Sequence, residues 1–314
     1  MSKGIKIKKI MLCIVVDYNR HLSYEFTHYI DPLKELGYKL EMFDMESNCD
    51  SKFLYSIKSS KPDLIIMKPY FDRLRLETIN HVSHTLRVPT LAMFGDDEKY
   101  FYNGSFSTSK VAPAFTYCST TFKDAIPDYE HLGIKPIYAG YGANSAIFCK
   151  AKKEKDISIS FCGARRPKRI EILNYLVQRG HKIKVYGDDW HEDNSRFVLN
   201  TQSYIELINK TKINIGIQED IIDNKSIMQI KGRDFEVPMC GGFLITQFNP
   251  LLIEFYKLGK EIETYKSLEE LDKKIKFYLK NDKAREKVAL AGYRRAQKYH
   301  KYTDRFKYIL SNLK

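Results

Sequence analysis

The stretch Ile157-Ser158-Ile159-Ser160-Phe161-Cys162-Gly163-Ala164-Arg165-Arg166-Pro167-Lys168-Arg169 reads as strand, break and helix start within thirteen residues. Ile157, Ile159 and Phe161 alternate toward one face, as the two-residue period of a strand requires. Gly163 then interrupts the strand, and Pro167 suits a helix's first turn, where its missing N–H costs nothing. The helix is expected to run to about Arg179 and stop at Gly180. A strand over 182–186, a helix around 203–210 and a strand over 212–217 continue the alternation. Such a β-α-β series builds a parallel sheet wound on both faces.

Upstream the rhythm is the same. A strand over 9–16 leads to a helix over 22–36 that closes at Gly37 and that Pro32 should kink or shorten. Strands are expected over 39–43, 64–67 and 90–94, with a helix over 74–86 before the last. Residues 136–148 are rich in glycine and small side chains, which places a boundary near residue 150. The expected fold class is therefore α/β, with two Rossmann-like doubly wound domains, 1–150 and 151–314. The tail is helical and can pack back on the first domain. Ser267 and Glu270 form a capping box, Leu268, Leu271, Ile275, Tyr278 and Leu279 share a stripe, and Asp282 and Thr303 are expected to cap two more helices.

Composition narrows the class. With 314 residues, 43% hydrophobic and 13% aromatic, the chain suits two ordinary folded domains, and no apolar run is long enough to span a bilayer. The apolar stretch over 10–16 is too short for a signal peptide, so the expected location is cytoplasmic. Six scattered cysteines show no zinc spacing and are expected to be reduced and buried, and no metal site is expected. The net charge is +13, and from Lys273 onward fourteen Lys or Arg face three Asp or Glu. That surface suits a phosphorylated substrate or peripheral contact with an anionic membrane, or is a solvated set of helix faces. No interleaved aromatic and basic motif points to specific nucleic-acid recognition.

Two segments carry candidate chemistry in the second half. Gly163, Arg165, Arg166 and Arg169 combine free backbone N–H groups, a helix start and guanidinium groups, which together favour an anion such as a diphosphate. The run Lys231-Gly232-Arg233-Asp234-Phe235-Glu236-Val237-Pro238-Met239-Cys240-Gly241-Gly242 places charges and glycines just before an apolar strand. Glu236 can accept both hydroxyls of a ribose while Lys231 or Arg233 meets phosphate, and Gly241 and Gly242 permit close backbone approach. An Arg233–Glu236 pair at helical spacing is the structural alternative. In the first half, Asp96 and Asp97 follow the strand over 90–94, at the edge where α/β ligands bind, and can orient or deprotonate a hydroxyl. Asp17, after the first strand, and nearby His21 are further candidates.

The elements Arg233-x-Phe235-Glu236, Gly241-Gly242-Phe243-Leu244, Gly259-Lys260-Glu261-Ile262, Leu268-x-x-Leu271, Ala291-Gly292-Tyr293 and His300-x-x-x-Asp304-Arg305 occur in order over about seventy residues. They resemble the C-terminal domain of CgeB-like bacterial glycosyltransferases of the spore-maturation type, relatives of group 1 glycosyltransferases. Phe94-Gly95-Asp96-Asp97, Ala112-Pro113-Ala114-Phe115, Thr120-Thr121 and Gly142-Ala143-Asn144 extend the likeness into the first half. The resemblance implies a GT-B fold, with the acceptor held by the first domain and a nucleotide-sugar donor, a UDP- or GDP-sugar, held by the second across a cleft. It implies sugar transfer to a saccharide, lipid-linked or protein acceptor, with a retaining outcome, no required cofactor, and a role in cell-surface or spore polysaccharide. In the group 1 Glu-x7-Glu motif the second Glu, which binds the ribose, matches Glu236. The first falls on Met228, which keeps a non-catalytic nucleotide or sugar binding protein open as the competing reading.

Overall fold

Runs of apolar residues too short for helices become strands, and in the computed structural model they assemble into two parallel sheets. The structure describes residues 6–14, 26–45, 49–69, 74–104, 106–187, 189–190, 200–222 and 225–314. The chain divides into two compact units, one of Met1–Gly140 with Thr303–Lys314 and one of Tyr141–Tyr302.

The first unit carries six strands: β1 (Lys9–Ile14), β2 (Lys39–Asp44), β3 (Leu64–Met67), β4 (Thr90–Phe94), β5 (Tyr117–Thr120) and β6 (Ile137–Tyr138). Their order is β2-β1-β3-β4-β5-β6, with every neighbouring pair parallel. Leu64, Ile65 and Ile66 are fully buried, as a central parallel strand covered on both faces must be. β3 and β4 match the expected spans, and β5, β6 and the helix Asp50–Ser60 are additional. The expected helix over 74–86 is two short pieces, Leu76–Asn80 and His81–Thr85, and the Leu86 N–H bonds back five residues to His81, the pattern of a widened turn. Of the helix expected over 22–36, residues 22–25 lie outside the described residues and the rest is divided into Phe26–Ile30 and Asp31–Glu35, with Pro32 in the first turn of the second piece.

The second unit begins with β7 (Ile157–Cys162), β8 (Ile183–Tyr186) and β9 (Thr211–Gly216). An antiparallel hairpin, β10 (Glu219–Ile222) with β11 (Lys225–Met228), follows. β12 (Leu244–Gln247) and β13 (Glu263–Tyr265) complete a parallel sheet in the order β13-β12-β9-β7-β8. Strand order reverses between β7 and β9, which pair with Ser160 opposite Asn214. Ile159, Phe161, Ile213, Ile215 and Ile245 form the core with Leu271, Ile275 and Tyr278 from the helix Leu268–Lys280.

That helix starts as its sequence requires: the Ser267 hydroxyl accepts from the Glu270 N–H at 3.2 Å, and the Glu270 carboxylate accepts from the Lys266 N–H at 2.8 Å. The other two expected caps are corrected. Asp282 is the first residue of its helix and binds Arg285 at 2.7 Å instead, and the last helix, Tyr302–Ser311, begins one residue before Thr303. All six cysteines are free thiols, but Cys49 and Cys149 are exposed and Cys162 is only partly buried, so the expectation of burial holds for Cys13, Cys118 and Cys240 alone. No described helix is long and apolar enough to cross a membrane.

Candidate functional site

In an open parallel sheet, ligands bind beyond the strands' C-terminal ends where the strand order reverses. In the second unit that point lies between Gly163, after β7, and Gln218, after β9. The side chains gathered there start with Phe161, the last buried apolar residue of β7. The Arg233 guanidinium lies over its ring, 4.9 Å from the centroid, and that of Arg169 at 5.8 Å. A Cβ on Gly163 would stand 2.6 Å from Arg233 Nη2 and 3.2 Å from Phe161 Cζ, so only glycine leaves room for this stack.

The two arginines lack the partners that buried guanidinium groups normally have. Arg169 is 7% exposed and donates from Nη1 to the Ala164 carbonyl at 2.7 Å. Its Nε, and Nη1 of Arg233, are buried without a hydrogen-bond partner among the described residues. Burial, and next the Arg233 guanidinium, hold the Arg169 pKa down to about 10. Two close positive charges with spare donors are the environment that a bound anion completes.

A buried carboxylate fixes the segment that delivers Arg233. Asp234 is fully buried at the start of the helix Arg233–Met239. Its oxygens accept from the Lys231 N–H at 2.8 Å, Thr246 Oγ1 at 2.8 Å and Gln218 Nε2 at 3.0 Å. Burial still pushes its pKa up. The Tyr256 hydroxyl holds the Asp234 carbonyl at 2.9 Å. The helix start is thereby tied to the ends of β9 and β12. Sequence reasoning missed Phe161, Gln218, Asp234 and Thr246; the one available signal was a carboxylate directly after Arg233 and three residues from Lys231.

The remaining donor-side candidates divide. Glu236 is half-buried, and its Oε1 lies 3.1 Å from where a Gly232 Cβ would be, so the carboxylate folds back over the start of its own helix. Burial, and next this carboxylate, push the neighbouring Tyr204 phenol well up. Lys231 supplies its backbone N–H to Asp234. Arg165 is exposed. Gly241 and Gly242 lie at the opposite, N-terminal end of β12. Gly241 takes the left-handed turn that closes the helix (φ +67°), and Gly242 packs against Ile208, Val237 and Asn214. The structure therefore does not bring these two glycines to Gly163.

In the first unit, Asp97 is 3% exposed, with Oδ1 taken by Thr108 at 2.8 Å and Oδ2 by Thr120 and by Tyr129 at 3.0 Å. These hydroxyls fasten the end of β4 to the end of β5, and burial raises the carboxyl pKa. Both oxygens of Asp97 are thus engaged by hydroxyls of the first unit's own fold. Asp96, beside it, is exposed at the C-terminal end of β4. Asp17 and His21 lie outside the described residues. Among the described residues no three His, Cys, Asp or Glu group to hold a metal.

Comparison with known proteins bears on the fold. Residues 165–311 match the family described as glycosyl transferase-like. No curated protein matches the sequence. A glycosyltransferase from Rickettsia africae is similar in structure at 12% identity and a TM-score of 0.61, covering 97% of each chain. Anabaena Alr3699/HepE, solved with UDP-glucose, is similar at 10% identity and 0.60, covering 96% of this chain and 98% of that one. Sucrose-phosphate synthase from Thermosynechococcus elongatus is similar at 12% identity and 0.63, covering 98% and 99%. The fold is that of GT-B glycosyltransferases, and the family match over residues 165–311 supports sugar transfer.

Proposed function

We propose that this chain transfers a sugar from a UDP-sugar to a saccharide, lipid-linked or protein acceptor, with the donor in the second unit and the acceptor on the first. The observation that carries this reading is the pair Arg169 and Arg233, stacked on Phe161 with spare buried N–H groups at the switch point. A departing nucleoside diphosphate gains negative charge as the glycosidic bond breaks, and preorganised guanidinium groups stabilise that charge most where water is excluded. Gly163, whose own N–H is held by the Tyr186 carbonyl at 2.8 Å, contributes by leaving room for Arg233, Arg165 stands exposed beside it, and Glu236 accepts the ribose hydroxyls. Lys231, through its backbone, holds the carboxylate that sets Arg233 in place. Asp96 is the acceptor-side carboxylate, oriented by the segment that Asp97 anchors.

UDP is favoured over GDP because the Anabaena neighbour was solved with UDP-glucose. A retaining outcome, membership of the CgeB-like subgroup and a role in cell-surface or spore polysaccharide rest on the sequence motifs. A cytoplasmic location with peripheral contact to anionic lipid rests on the basic tail.

The test is a thermal-shift screen against UDP, GDP, ADP, CMP and dTDP with their sugars, since a ligand that binds only the native state raises its apparent stability. A shift with UDP and UDP-sugars, followed by UDP release when acceptor is added, is expected. Glu236→Ala should lose the shift and keep the fold. No shift with any nucleotide would overturn the reading. Binding of a UDP-sugar that is neither hydrolysed nor transferred would instead favour the binding-protein reading that Met228 keeps open.

A further inference from the structure

The first unit carries a second concavity at the other edge of its sheet. A trough of about 640 Å³ is lined by Phe115, Tyr117, Tyr138, His84, Asn312 and Tyr308, among others. That volume falls within the about 300–1,000 Å³ of small-ligand clefts. Tyr117 opens β5 and is paired with Leu91, five residues before Asp96, so at roughly 3.3 Å per residue that wall of the trough lies about 16 Å from that carboxylate, while Tyr138, opposite Thr120 at the end of β6, is the lining residue nearest it. Most of its lining therefore lies toward the N-terminal ends of the first unit's strands, away from Asp96.

We propose that this trough binds an oligosaccharide, a non-reacting stretch of acceptor or product, a reading that rests on the proposed sugar transfer. Three tyrosines from three chain segments supply rings with an apolar face and a polar rim. Sugar rings present the matching surfaces, a face of C–H groups and an edge of hydroxyls. The Tyr117 hydroxyl donates to the Lys314 carbonyl, so its ring is held while its face stays in the wall. His84 Nε2 lies 3.1 Å from the Pro113 carbonyl, and Asn312 Nδ2 donates to the Tyr308 carbonyl at 2.8 Å, which fixes polar groups at the rim. No Asp or Glu lines the trough and Lys135 does, so a cationic ligand is disfavoured and a neutral or acidic glycan is accepted. Tyr308 remains 52% exposed, a large aromatic surface that folding leaves uncovered.

The experiment is a glycan array probed with the full-length chain and with Tyr308→Ala and Tyr308→Phe, with UDP affinity measured for all three by calorimetry. The expected result is that a subset of oligosaccharides is retained, that the signal falls at least tenfold in Tyr308→Ala and persists in Tyr308→Phe, and that UDP affinity is the same throughout. An array with no glycan bound, or glycan binding equal in Tyr308→Ala, overturns the proposal. Loss of the donor reading would appear separately, as absent UDP binding by the unaltered chain.

Discussion

The Arg233 guanidinium carbon stands 4.9 Å from the centre of the Phe161 ring, and the absent side chain of Gly163 is what makes the space. A methyl group on Gly163 would meet the far end of a flexible side chain, whereas one on Gly187 would stand 2.2 Å from the Gly163 carbonyl oxygen, which cannot yield. Gly163→Ala is therefore expected to cost UDP affinity about tenfold and, because φ there is +159°, to lower the urea midpoint as well, though by less than Gly187→Ala. Gly187→Ala, at a position whose φ is +133°, is expected to lower stability by about 3 kcal/mol. Equal effects of both substitutions on stability would contradict the distinction.

Asp234 organises the segment through three accepted hydrogen bonds. Asp234→Ala leaves the Lys231 N–H, the Thr246 hydroxyl and the Gln218 amide without that partner, at a cost of about 3 kcal/mol. Urea unfolding should show this loss. An unchanged midpoint would mean that the segment is held by something other than this carboxylate.

Much of the sheet framework is readable from the chain, because β3 and β4 are uninterrupted apolar runs and the Ser267 cap has its Glu270 partner. The hairpin Glu219–Met228 is not readable. Its strands are four residues each and its stem is fastened from a distance, by the Gln247 amide bonding Glu219 at 2.9 Å. The site shows the same division. Basic residues near a strand end could be picked out, but only packing distinguishes Asp97, locked by Thr108, Thr120 and Tyr129, from exposed Asp96. The Gly241-Gly242 pair shows the converse, since a helix stop and a close approach to ligand use the same residue type for the same conformational freedom.

A pH dependence follows from Asp272. Burial raises its carboxyl, but the hydrogen bonds from Lys276 and His181, both at 2.7 Å, outweigh that and hold the pKa below the usual 3.8. A carboxylate held low in the folded state contributes stability that is complete above its unfolded value and lost as pH falls through the folded one. Asp272→Asn should therefore destabilise the protein more at pH 7 than at an acidic pH well below the usual 3.8. A penalty of the same size at both would rule out the ionised carboxylate as its source.

Lys283, Lys287, Arg294 and Lys298 are exposed along the helix Asp282–Tyr299. Binding to anionic vesicles is expected at low salt and should weaken at physiological ionic strength, where the screening length is about 8 Å. Charge reversal at Lys287 and Arg294 should weaken it further. Equal flotation with neutral and anionic vesicles would remove the membrane from the account.

The most direct test of the donor site is calorimetric titration of UDP into the unaltered chain and into Arg233→Ala. A charge-assisted hydrogen bond of about 1.5–3 kcal/mol corresponds to a ten- to hundredfold loss of affinity, with the thermal transition of the free protein nearly unchanged. UDP bound equally well by the folded Arg233→Ala protein would contradict the assignment of the diphosphate to Arg169, Arg233 and Phe161.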